Sequence, residues 1–437
     1  MRDLTSRLRS IVRQDHGGSA PAPRRELTYI PDLPGVSDVD AAAAALGGDV
    51  QRGSRGGVVA IDYVWDGDHW HGRRQVSSYQ LEPDAPLALF DRRLAGHDGW
   101  ARRVVFFDTE TTGLSGGAGT VAFLAGCGWF EDDTFRVRQF FLAGPAGERA
   151  LLEALSRIFD EASLLVTYNG RTFDVPLMET RWAFHRSSAA TDELAHFDML
   201  PGARRLWGRP ERRTSVSPFS GDEERSCSLS ALERSVLGFH RLHDVPGMEI
   251  PTRYFHFIRT GNAAAIAGVL EHNRHDLLSL AAVTSHAFWL AREGPEACRD
   301  AGEQAGLGRL YEQAGDTARA MRAYELAADG GDRLVRRHAL ARLAVLLRRE
   351  ARHDDAAAAW QGVLDLSDRR FGLSSIDRRA AEALAIHHEH RARDLRKARQ
   401  YAEALRTETN GRKREQILHR LGRLERKLTL TNRLEWD

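Results

Sequence analysis

Four apolar residues, Val104-Val105-Phe106-Phe107, run without a break into Asp108-Thr109-Glu110. A short run dense in β-branched and aromatic residues suits a buried strand. Successive strand residues face opposite sides of a sheet, so Asp108 and Glu110 point together off one face. Two carboxylates held that close repel unless a cation lies between them, and oxygen ligands of this kind suit Mg²⁺ or Mn²⁺. Taken alone, an Asp-x-Glu is more often a strand end running into a polar turn. Its meaning depends on the residues farther along the chain.

Residues 119–130 and 134–142 read as two further strands joined at Glu131-Asp132-Asp133, a hairpin turn. Residues 148–160 have helical periodicity, with Leu151, Leu152, Leu155, Ile158 and Phe159 on one side. A fourth strand over 164–168 and a helix over 174–185 come next. Antiparallel strands followed by alternating helix and strand resemble the ribonuclease H-like fold, a mixed α/β sheet flanked by helices.

At 437 residues the chain is too long for one ordinary domain. Residues 1–100 read as an N-terminal extension, partly flexible: 13–25 are linker-like, and 57–90 are weakly β-like with no assignable role. The sheet domain is expected over 101–295. Beyond 300 the texture is helical and repetitive. Leu307, Gly308, Tyr311, Gly315, Ala320, Tyr324 and Ala327 fall at the spacings of one repeat, and all but Gly315 have counterparts 36 residues later in Leu343, Ala344, Leu347, Ala356, Trp360 and Val363. A looser third copy, after an insertion around 371–375, runs through Ala383-Leu384-Ala385 and 398–405. These spacings fit an all-α array of tetratricopeptide-like repeats over 300–430. If the repeats are separate, a chain ending near 300 keeps the site.

Other features bound the function more loosely. No apolar run approaches a membrane span, the first residues lack a signal-peptide core, and Cys127, Cys227 and Cys298 are too scattered for a disulfide framework. The chain therefore reads as cytoplasmic, with no membrane. Its net charge of +1 neither requires nor excludes nucleic acid. Residues 391–427 hold 13 Lys/Arg against 5 Asp/Glu, a face that is either solvated surface or a nucleic-acid contact.

Two later segments complete the first. Asp174 follows a strand and an Asn169-Gly170 turn and opens a helix, where an acidic residue is also simply favoured by the macrodipole. His272 and Asp276 lie four apart on one face of a helix. Together these residues resemble the DEDD family of 3′–5′ exonucleases, in which four carboxylates on a ribonuclease H-like fold bind two metal ions. Asp108 and Glu110 match its first motif, Asp174 the second and Asp276 the third. More closely, residues 108–120, 168–181, 196–207, 229–238, 244–254 and 270–280 resemble a bacterial subfamily of predicted nucleases with C-terminal tetratricopeptide repeats.

The resemblance implies two divalent ions, Mg²⁺ or Mn²⁺, on Asp108, Glu110, Asp174 and Asp276, and hydrolysis of DNA or RNA phosphodiester bonds. One departure concerns the general base. The family has Tyr four residues before the last Asp or His five before it; here His272 has the tyrosine spacing with the histidine identity, and its ring would sit in neither standard place. Asn273 and His275 project elsewhere on that helix. Thr109, Thr111, Gly113, Leu114, Asn169 and Phe173 are expected beside substrate. Arg204 and Arg205, in a run continuing to Arg209, Arg212 and Arg213, are candidates to meet phosphates.

The Gly-rich residues 115–120 lack the Lys-Ser/Thr of a P-loop, and a turn permitting close backbone approach is the alternative. Asp198, after Phe197 near a strand end, reads as structural, with a supporting or substrate-binding role as the other possibility. The repeats are expected to bind a partner protein or extend the nucleic-acid track. A structure-specific endonuclease and a catalytically weak scaffold are the competing functions.

Overall fold

The computed structural model describes residues 38–97, 99–113, 119–187, 191, 194–208, 227–368, 372–406 and 411–434, with side chains to 430. A helix, α1 (Val39–Leu46), precedes β1 (Asp49–Arg52) and β2 (Gly57–Trp65); a hairpin β3 (Trp70–His71) and β4 (Arg74–Gln75) comes after them. Then come β5 (Val104–Thr111), β6 (Ala122–Glu131), β7 (Thr134–Phe141), α2 (Glu148–Glu161), β8 (Leu164–Thr167), α3 (Asp174–Phe184), β9 (His196–Asp198) and α4 (Met199–Leu206). Further helices α5 (Ile250–Thr260) and α6 (Ala264–Glu293) close this part.

The seven-stranded sheet runs β1-β2-β7-β6-β5-β8-β9, antiparallel from β1 to β5 and parallel from β5 to β9. The hairpin and alternating elements expected from sequence are all present. Residues 49–65, however, are not an extension. Val58, Val59 and Ile61 are buried, and β2 pairs with β7 from Val59 to Trp65, so the sheet begins about fifty residues before the expected boundary at 101. His71 reinforces this: its Nε2 lies 2.8 Å from Ser279 Oγ on α6.

The sheet alternates between two cores. Val105 and Phe107 enter one with Leu151, Leu155 and Trp182; Phe106 enters the other with Val137 and Leu277. This is the period-2 alternation of a strand buried on both faces. Helix α6 begins in the first core through Ile266, Val269 and Leu270, then continues in the second from Leu277 to Ala291. It changes cores over the turn that carries His272, Asn273 and Asp276, against β5 and β6.

The C-terminal region is all helical: α7 (Ala301–Ala314), α8 (Thr317–Asp329), α9 (Arg333–Arg349), α10 (His353–Asp365), α11 (Ser375–His390), α12 (Leu395–Arg406) and α13 (Arg412–Leu434), each packed on the next. Small and large residues interlock as the repeat spacing suggests: a Cβ on Gly308 would meet the Tyr324 ring at 2.7 Å. The basic stretch over 391–427 is partly neutralised from within, because buried Glu389 accepts from Arg423 at 2.8 Å and Lys427 at 3.2 Å. Among the described residues no helix is long and apolar enough to cross a membrane.

The helices are not separable from the sheet. One apolar cluster runs from Phe106 through Leu290, Leu307 and Tyr311 to Leu405. A Cβ on Gly306 would lie 1.9 Å from the Leu206 carbonyl oxygen, and Tyr311 donates its hydroxyl to Ala291 O at 2.9 Å. A chain truncated near 300 is therefore expected to expose the apolar side of α6 and lose cooperative unfolding, read by calorimetry. A truncated protein melting within a few degrees of full length would contradict the shared core.

Candidate metal-binding site

Strand β5 carries Asp108 and Glu110 to the sheet edge of α6, and the tight turn after β8 delivers Asp174. Asn169 makes that turn in the left-handed region (φ 67°), which Asn tolerates better than most residues. Its backbone N–H donates to Asp198 Oδ1 at 2.8 Å, and Asp198 also accepts from the N–H groups of Arg171 and Leu200. Asp198 is thus an anchor: it fastens the Asp174 loop to the start of α4. Thr109 donates its hydroxyl to Asp174 Oδ1.

The approach of α6 depends on a missing side chain. Asp108 pairs in register with Gly126, and a Cβ there would lie 2.2 Å from Asn273 Oδ1. Asn273, fully buried, instead sits against the strand. Its Nδ2 donates to Asp108 Oδ2 at 2.8 Å, and its Oδ1 accepts from Gln139 Nε2 at 2.8 Å. The expectation that Asn273 projects away from the site is therefore wrong: the change of cores along α6 turns it toward β5. His275 does point away, packing against Phe239 and Trp65. Gly126→Ala is expected to push α6 off β6, lowering Mn²⁺ affinity by about tenfold or more while far-UV circular dichroism is kept. Calorimetric titration with unchanged affinity would refute that dependence.

The acidic groups crowd one another. Ligand atoms of Glu110, His272 and Asp276 all lie within 4.8 Å of each other. Burial, then repulsion from Asp276, Asp174 and Glu110, holds the Asp108 carboxyl well above its ordinary range. Burial pushes Glu110 up to about 8 against the pull of His272, and Asp174 up to about 6 despite the Thr109 hydrogen bond. All four predicted carboxylates are brought together.

His272 is held by a partner that sequence reading did not assign. Its Nδ1 lies 2.7 Å from Asp244 Oδ1, leaving Nε2 at 3.4 Å from Asp276 and 3.9 Å from Glu110. Burial alone would lower its pKa, but Asp244, Asp276 and Glu110 together raise it to about 9. Arg241 completes the cluster. Its buried guanidinium bonds Asp276 and both oxygens of Glu233, and its Nη1 lies 3.3 Å from His272 Nδ1. Glu233 opens a π-helical turn over Glu233–Leu237, a distortion frequent at functional sites. Glu233, Arg241 and Asp244 have no period or motif spacing that ties them to Asp276.

The expected substrate residues divide. Phe173 is 56% exposed beside Asp174, well placed for contact. Asn169 spends its side-chain oxygen on Thr172 at 2.8 Å, Thr109 spends its hydroxyl on Asp174, and Thr111 bonds Gly113 O at 2.9 Å. These three shape the site from beneath. Leu114, residues 115–118 and Arg209, Arg212 and Arg213 lie outside the described residues. Arg204 and Arg205 sit at the far end of α4, lining a cavity shared with the C-terminal helices.

Residues 105–288 match the family described as the RNase_H superfamily. The chain is also similar to the uncharacterized protein YprB of Bacillus subtilis (strain 168), with 31% identity over 332 residues, 74% of each chain. Residues 105–288 are thus a domain of the ribonuclease H superfamily, and the chain belongs to one family with that Bacillus protein.

Proposed function

We propose that the chain is a metal-dependent nuclease, a 3′–5′ exonuclease of the DEDD type followed by tetratricopeptide-like repeats. The observation that carries this reading is the convergence of Asp108, Glu110, Asp174 and Asp276 at one end of β5. Three of the four are driven toward protonation by burial and each other's charge. A site so short of counter-charge fits divalent cations, and oxygen donors fit Mg²⁺ or Mn²⁺. Those four side chains would hold the ions, which when bound activate a water and neutralise a leaving oxyanion.

The remaining residues position and exchange protons. In the metal-free chain His272 is an imidazolium between Asp244 and Asp276 and serves as counter-ion. Asp244 fixes the ring so that Nε2 faces the carboxylates, where, once deprotonated, it accepts a proton from an attacking water. Phe173 offers a face for a terminal base to stack on. Purified protein with Mn²⁺ or Mg²⁺ should degrade end-labelled DNA or RNA to a ladder. A discrete internal cut would indicate an endonuclease, and no cleavage under either ion would favour a scaffold.

A further inference from the structure

A cavity of about 1420 Å³ lies between the sheet unit and the first helices of the C-terminal array. Small-molecule sites are about 300–1,000 Å³; this one is larger and open, shaped for a segment of polymer. Its walls include Arg73, Arg204, Arg205 and Arg309 together with Asp300, Glu303, Glu312 and Asp332.

The charges do not cancel: with Arg299, Arg342 and Arg349 the described wall carries seven Arg against four carboxylates, and each of those carboxylates already has a partner in the protein. Asp300 caps α7 through the Glu303 N–H at 2.9 Å, and Asp332 caps α9 through Leu334 and Val335 at 2.9 Å. Glu303 accepts from Arg299 at 2.9 Å and Trp207 at 3.0 Å. Glu312 accepts from Arg342 at 2.9 Å and Tyr324 at 3.0 Å. Among the described residues Arg73 and Arg204 make no ion pair. Among the described residues Arg205 and Arg309 meet only carbonyl oxygens, of Phe90 in one case and of Arg205 and Gly208 in the other. Among the described residues, four guanidinium groups thus face the cavity without a carboxylate, an arrangement that selects phosphates.

Two protein elements link the cavity wall to the acidic site. Helix α4 starts at Asp198, which anchors the Asp174 loop, and ends at the cavity about 12 Å away, at 1.5 Å per residue over its eight residues. Tyr168, just before that loop, donates its hydroxyl to Cys227 O on the cavity wall.

We propose that this cavity is a track for single-stranded nucleic acid leading to or from the acidic site, with Arg73, Arg204, Arg205 and Arg309 meeting its phosphates. It rests on the nuclease reading for its choice of polyanion. The test is binding of fluorescein-labelled poly(dT) and poly(U) to the full chain in EDTA, by anisotropy across a salt series. Arg73→Glu/Arg204→Glu alters two cavity-wall residues that hold no carboxylate, with folding checked by its melting curve. It should weaken binding by about tenfold or more and lower the salt slope by about 1.4, roughly 0.7 per lost phosphate contact.

Unchanged affinity and slope, or no binding by the unaltered chain, would overturn the proposal. So would displacement by polyglutamate as effective as by unlabelled strand, which would mark an acidic-peptide site. A chain that binds in this way but never cleaves with metal would refute the nuclease reading and leave the track standing. Cleavage with KM unchanged in the double variant would do the reverse.

Discussion

Asp174→Asn should cut metal-dependent cleavage by about three orders of magnitude, since losing a metal ligand forfeits several kcal/mol of transition-state stabilisation at about 1.4 kcal/mol per tenfold. The side-chain volume is kept, and Thr109 can still donate to the amide oxygen, so the fold should survive. The same crowding makes the metal-free protein sensitive to pH. Burial raises Glu110 from 4.5 to about 8, so the folded chain keeps a proton that the unfolded chain releases, and stability falls as pH rises between those values. His272, raised from 6.5 to about 9, contributes fully below 6.5 and loses that contribution as pH climbs toward 9. His71, which burial pushes down to about 3, acts oppositely but only below 6.5. The melting temperature of EDTA-treated protein should therefore fall from pH 6.5 to about 8. Glu110→Gln should flatten the fall, and Mn²⁺ should raise the melting temperature more at the upper end. A profile unaffected by Glu110→Gln would show that the carboxylates are not coupled in this way.

Arg241→Met should be the most destabilising single change near the site. It leaves Glu233, with 2% of its side chain exposed, as an uncompensated buried charge, and it removes the cation on Asp276. Breaking a buried pair in this way costs about 3–5 kcal/mol, whereas replacing both partners with apolar groups is often close to neutral. Arg241→Met/Glu233→Met should accordingly recover most of the loss in denaturant unfolding of metal-free protein. If the single variant costs under about 1 kcal/mol, or the double costs the sum of two singles, the pair is not the closed unit the geometry describes. In cleavage assays the double variant should remain impaired, because Asp276 has lost the group that holds it.

What could be read from sequence and what could not divide along a physical line. Asp108 and Glu110 follow an apolar run within β5, Asp174 opens a helix after β8, and Asp276 shares a helical face with His272; periodicity places each on its element, and only the family resemblance joins the four into one set. The central hairpin and the sheet-then-helix order were legible from the same periodicity. Asn273 escapes a reading by spacing because a helix face assigned that way assumes a constant environment, and α6 changes cores at that residue. Glu233, Arg241 and Asp244 were invisible because their contacts close through a π-helical turn and an irregular segment, where no period predicts direction. Strand β1 is hard to read in sequence because it is polar, Asp49-Val50-Gln51-Arg52, and only its pairing with β2, itself weakly β-like in sequence, gives it a role. The repeat spacing identified the helix pairs but carried no information on what their first helix rests against.

That resting place constrains how such a chain can be inherited. With the Leu206 carbonyl 1.9 Å from where a Gly306 methyl would sit, and Tyr311 reaching back to Ala291, the helical region is fitted to this sheet rather than hung from it. Recombination that joined the sheet to a different helical array would have to reproduce a glycine, a tyrosine and an apolar seam at matching positions in one event.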